Sequence, residues 1–131
     1  MRTCNQSPPG TFLLAIRQFN AREWYECHET IEQLWLHETG ELRSFLQGML
    51  QIAVALNHWR NANHPGAVRL LASGVGYLRQ APAVCFWVDV AALIAASERL
   101  QQELETLGPD RMDTLDPSHI PQIVTVSTTD S

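Results

Sequence analysis

Five side chains capable of acid–base or ligand chemistry fall on two consecutive stretches of helical spacing: His28 and Glu32 on the first, Gln47, Gln51 and His58 on the second. His28 and Glu32 are four apart, about 40° from each other on one helix face, with Trp35 one turn on. Gln47, Gln51, Val54 and His58 follow steps of four, three and four, so the three polar residues share a stripe, with Arg43 just ahead of it. Two imidazoles and a carboxylate converging between helices suit a divalent metal. His28, Glu32 and His58 would hold zinc or ferrous iron, and Gln51 would orient a bound water for hydrolysis. The same spacing serves a hydrogen-bonded network that fixes helix register, because an unsatisfied buried partner costs about 1 to 3 kcal/mol. Gln is a poor metal ligand, so the network is the preferred reading. The candidate polar site is His28, Glu32, Gln47, Gln51 and His58, flanked by Asn20, Trp35 and Arg43, with no catalytic residue assigned.

Other arrangements say less. His28-Glu29-x-x-Glu32 has the shape of the His-Glu-x-x-His zinc signature, but Glu32 stands where the second His belongs. Cys27 projects about 100° away from His28 on a helix, which disfavours a Cys/His nucleophilic pair and favours a small core thiol. His37 and His64 sit by helix ends. Of the four tryptophans, Trp87 is the one whose exposure stays open, because it lies in a loop region with Pro82 and Phe86.

These side chains must be carried by helices. Period-3.6 spacing runs from Thr11 to Leu107 and predicts an all-α, compact bundle of about five helices built from antiparallel hairpins. The first helix follows Pro8-Pro9-Gly10 and ends near Phe19, with Asn20 as cap of the next. The second runs from about Arg22 to Glu38 and is closed by Gly40, the third from about Glu41 to Asn61. Pro65 opens a fourth that reaches about Leu78, weakened by Gly74 and Gly76, and Asp89 caps a fifth that Gly108-Pro109 stops near Leu107. The expected organisation is an arm over residues 1–10, one helical domain over 11–107, and an extended tail over 108–131 that docks through Ile120 and Ile123.

Composition bounds the function classes. The chain has 131 residues, 45% of them hydrophobic, and a net charge of −5 with no run of basic residues. A phosphate-backbone footprint is thus not expected, and nucleic acid is excluded as a partner. The longest apolar run, Val90 to Ala96, is far short of the roughly 20 residues that cross a bilayer, and no export signal is visible. Cys4, Cys27 and Cys85 show no paired spacing, so free thiols in a reducing cytoplasm are expected.

The blocks Phe19-Asn20, Trp24-Tyr25-Glu26-Cys27-His28-Glu29 with Glu32 and Trp35, Phe45-Leu46-Gln47-Gly48-Met49-Leu50-Gln51-Ile52-Ala53, His58, and Gly66-Ala67 with Leu70-Leu71 occur in order. In this the chain resembles the bacterial and archaeal family known as domain of unknown function 309, over roughly Thr11 to Leu107. The resemblance implies a compact multi-helical fold with His28, Glu32, Gln47, Gln51 and His58 as its inward polar positions, and no established activity. The chain departs from the family at Asn61-Ala62-Asn63-His64-Pro65, where a glycine-asparagine turn is usual, and at Gly74 and Gly76, which puts the length of the fourth helix in doubt. Three readings follow. A binding or scaffolding module with a buried polar network, bordering a small pocket, is preferred. A metal-dependent, hydrolase-like enzyme is second, and an oligomeric interaction module using the first or last helix is third. The ligand is not specified by any of these residues.

Overall fold

The computed structural model describes residues 3–126. Its helices are α1 (Gly10–Asn20), α2 (Trp24–Trp35), α3 (Gly40–Arg60), α4 (His64–Leu78) and α5 (Val90–Leu107), so the all-α bundle expected from periodicity is the observed architecture. Local chemistry sets the ends. Asn63 accepts the Gly66 N–H at 3.0 Å with Pro65 in the first turn of α4, and Asp89 accepts the Ala92 N–H at 3.0 Å to start α5. Gly108, at φ 74°, ends α5.

Two boundaries differ from expectation. The second helix stops at Trp35, and Gly40, at φ 68°, opens α3 rather than closing α2. Arg43 supplies the reason: its Nη1 donates to the Glu38 carbonyl at 3.2 Å while its guanidinium lies 3.9 Å above the Trp35 ring, which satisfies the chain just beyond α2 without further helix. Asn20 is the last residue of α1, not the cap of α2. Its amide instead clasps the tail, donating to the Ile123 carbonyl at 3.1 Å and accepting the Ile123 N–H at 2.7 Å.

The central helix is α3, which buries Leu42, Phe45, Leu46, Met49, Ile52, Ala53, Ala55 and Leu56 between α2 on one flank and α4 on the other. Gly74 does not shorten α4. It faces Gly48 so closely that a Cβ on Gly48 would stand 2.9 Å from the Gly74 carbonyl oxygen and 2.7 Å from Leu78 Cγ. The glycines let the two backbones touch.

Between α4 and α5 lies a feature with no periodic signal, a two-residue hairpin of β1 (Val84–Cys85) and β2 (Val88–Asp89). Its loop residues Phe86 and Trp87 have φ of 49° and 68°, the mirror-image geometry that twisted two-residue loops require. Tertiary packing holds it. The Phe86 ring sits 5.1 Å from Phe12 and 6.5 Å from Phe45, and Trp87 is left half-buried. The tail adds a bridge from Thr125 to Val88, and Ile120 and Ile123 are buried as expected. The Val126 N–H donates to the Trp87 carbonyl at 2.8 Å.

The expectation of three free thiols is corrected: Cys4 and Cys85 form a disulfide across a separation of 81 residues, and Cys27 alone is free. The N-terminal arm lies beside the hairpin, with the Phe86 N–H donating to the Cys4 carbonyl at 3.0 Å, and this proximity has no trace in the spacing of the cysteines.

Candidate functional site

The five polar residues are not one buried constellation. His28 is half-buried on α2, and its Nε2 lies 3.7 Å from Glu32 Oε2, but the Glu32 side chain is 51% exposed, so this pair is at the surface. The two residues straddle the edge of the buried arc of α2, whose core side is Trp24, Cys27 and Ile31. His58 is drawn away to the corner between α3 and α4, where its Nδ1 accepts from the Asn63 side-chain amide at 3.2 Å. Ala62 in that corner has φ 60°, the left-handed conformation that glycine adopts most readily. Gln47 and Gln51 are half-buried on α3, and Gln51 Oε1 is sealed from solvent with no partner among the described residues.

The metal reading therefore loses its geometry. Among the described residues no group of three or more His, Cys, Asp or Glu side chains gathers so as to hold an ion, and His28, Glu32 and His58 are no exception. Of the flanking residues, Trp35 and Arg43 do come together, as a stacked cation and ring that finishes α2, while Asn20 serves the tail.

What the α2–α3 seam does contain is a hollow of about 150 Å³ lined by Trp24, Tyr25, His28, Val54 and Asn57. Helical spacing builds it: Trp24 and His28 are one turn apart on α2, Val54 and Asn57 one turn apart on α3. Trp24 is 1% exposed, and its indole N–H has no acceptor among the described residues. Its ring packs edge-on to Trp59 at 6.3 Å and carries the Arg60 guanidinium 4.6 Å above it. Asn57 Oδ1 accepts from Arg60 at 3.1 Å. Tyr25, 54% exposed, stands at the rim, 6.0 Å from the His28 ring. Of these residues only His28 belonged to the expected site. The signal that could have found the pocket is the Trp24/His28 step of four opposite the Val54/Asn57 step of three.

On the far side of α2, Cys27 donates its thiol to the Ala15 carbonyl at 3.3 Å. Burial, and after it the neighbouring Glu26 charge, push this thiol up to about 12, so it is no nucleophile at neutral pH.

Comparison with known proteins finds the same resemblance. Residues 12–70, from α1 into α4, match the family described as "Domain of unknown function (DUF309)". The chain is also 29% identical over 104 residues to "Uncharacterized protein YpuF" of Bacillus subtilis (strain 168), an alignment covering 76% of this chain. The chain spans 60% of the length of that curated relative. Neither description assigns an activity. The hollow lies wholly within the matched segment, which also holds the F-N, H-E-x-x-E-x-x-W and Q-G-x-x-Q blocks that carry the resemblance.

Proposed function

We propose that the chain is a binding module whose α2–α3 hollow takes a small, flat ligand bearing a hydrogen-bond acceptor. The observation that carries this reading is a hollow lined by Trp24, whose buried N–H has no acceptor among the described residues. A buried donor without a partner costs about 1 to 3 kcal/mol, and a ligand acceptor would recover it. The walls are mainly apolar, with His28 and Asn57 as the polar groups, the usual make-up of a small-molecule site. The Arg60 cation over Trp24 favours an acceptor that carries negative charge. An aromatic carboxylate combines these properties in a ring-sized group.

The test is a titration of benzoate into the full chain, following the Trp24 indole N–H by NMR. A saturable shift of that resonance, abolished in Val54→Phe where the new ring fills the hollow, is the expected result. A Trp24 signal that does not move, or moves equally in the filled variant, overturns the reading.

The same reading places the protein in the bacterial cytoplasm, acting on neither nucleic acid nor membrane, with homo-oligomer formation through α1 or α5 compatible with it. No helix among the described residues is long and apolar enough to cross a membrane. The disulfide fits a reducing compartment only if thiols cannot reach it, and Cys4 and Cys85 are 3% and 0% exposed.

A further inference from the structure

The chain is acidic, yet the ionisable side chains that line one of its hollows are all basic. Between α5 and residues 117–124 lies a cavity of about 420 Å³ lined in part by Arg22, Arg99, Ser118, His119 and Gln122, with no Asp or Glu side chain among its walls. All nine basic residues of the chain are arginines, and two of them meet here from the α1–α2 turn and from α5.

Both guanidinium groups have donors to spare. Arg22 sits at φ 64°, a conformation that costs a non-glycine residue about 1 kcal/mol or more. Two bonds hold it there: Arg60 Nη1 donates to the Arg22 carbonyl at 2.6 Å, and Arg22 Nη2 donates to the Pro117 carbonyl at 3.2 Å. Its remaining N–H groups have no partner among the described residues. The Arg99 side chain makes no hydrogen bond or ion pair among the described residues. The acids that would otherwise neutralise it are engaged elsewhere: Glu98 pairs with Arg79, and Glu103 Oε2 accepts from His119 Nδ1 at 2.7 Å. Asp116, 4.0 Å from His119 Nε2, accepts the Ser118 N–H at 2.9 Å.

We propose that this cleft binds a small oxyanion, a carboxylate or a phosphate group, held by Arg22 and Arg99. Two planar forks of N–H donors match the paired oxygens of such groups, and the tail that forms the other wall is fixed by the Asn20–Ile123 clasp. The site stands apart from the α2–α3 hollow, so either can fail without the other.

The test titrates inorganic phosphate and, in parallel, acetate into the full chain at constant ionic strength, following the backbone amides of Ser118 to Gln122 by NMR. Saturable shifts with at least one anion are expected, weakened about tenfold or more in Arg99→Gln and partly restored in Arg99→Lys. Arg69→Gln, an exposed arginine on α4 away from the cleft, should bind as the parent does. The proposal is overturned if neither anion gives saturable shifts, if Arg99→Gln binds unchanged, or if Arg69→Gln loses as much as Arg99→Gln. Arg99 is exposed, so its variants are expected to fold, and superimposable amide spectra away from the cleft check this.

Discussion

The two flanks of α3 meet their neighbours in opposite ways. Against α4 the backbones touch, because Gly48 and Gly74 stack and leave no room even for a methyl group. Against α2 the contact is made by rings and long side chains, and there a hollow remains beside Trp24, whose Nε1 has no partner among the described residues. Small residues let a seam close completely, whereas large aromatic ones pack at the points where they meet and leave gaps between. One helix thus contributes a sealed structural face and a face with room for a ligand.

That contrast breaks if α2 is merely slack, and Cys27 tests it with the largest expected effect. Its thiol lies on the α1 side of α2, and burial raises it from 9.0 to about 12. The folded value is above the unfolded one, so the unfolded chain gives up this proton first. Cys27 therefore contributes stability that is fully present below pH 9 and is lost as the pH rises through about 12. The difference amounts to roughly 4 kcal/mol. Urea midpoints should fall steeply over that window in the parent and less in Cys27→Ala, with ultraviolet thiolate absorbance appearing only near its top. A thiolate forming near pH 9 in the folded chain would mean that water reaches the inner side of α2.

The glycines sharpen the other half of the contrast. Gly48→Ala puts its Cβ against Leu78 and the Gly74 backbone and should cost about 1 to 3 kcal/mol in urea unfolding despite alanine's better helix propensity. Gly74→Ala should cost less, since the nearest atom is the movable Ile52 Cδ1 at 2.8 Å, with the Gly48 oxygen at 3.1 Å. Gly76 has nothing within 4 Å of its would-be Cβ, and Gly76→Ala should stabilise by about 0.5 to 1 kcal/mol. Equal effects at positions 48 and 76 would show that the α3–α4 seam is not closed by glycine contact.

How much of this was legible follows the range of the interactions. Helix number and most ends could be read because their causes are local: Asn63 and Asp89 cap within three residues, and Gly108 stops α5 where it stands. The hairpin and the disulfide could not, since Phe86 is held at the turn by Phe12 and Phe45 from distant helices, and Cys4 reaches Cys85 across most of the chain. The candidate site was legible only in part. Helical spacing put His28 at the α2–α3 seam, but it could not show that Asn63 would claim His58, or that Asn57 rather than His58 would line the hollow.

Glu32 is where the spacing argument misled, and it sets the smallest expected effect. A step of four leaves about 40° between His28 and Glu32, and at the edge of a buried arc that angle separates a pocket wall from open water. As a buried acceptor Glu32 would be worth about 1 to 3 kcal/mol to the fold. As a half-exposed partner of an imidazole 3.7 Å away it is worth less than about 0.5 kcal/mol, screened by salt. Glu32→Ala should therefore leave the urea midpoint nearly unchanged at neutral pH and leave the Trp24 indole resonance in place. A loss above about 1 kcal/mol would put Glu32 inside a closed α2–α3 seam, and the difference between the two flanks of α3 would then vanish.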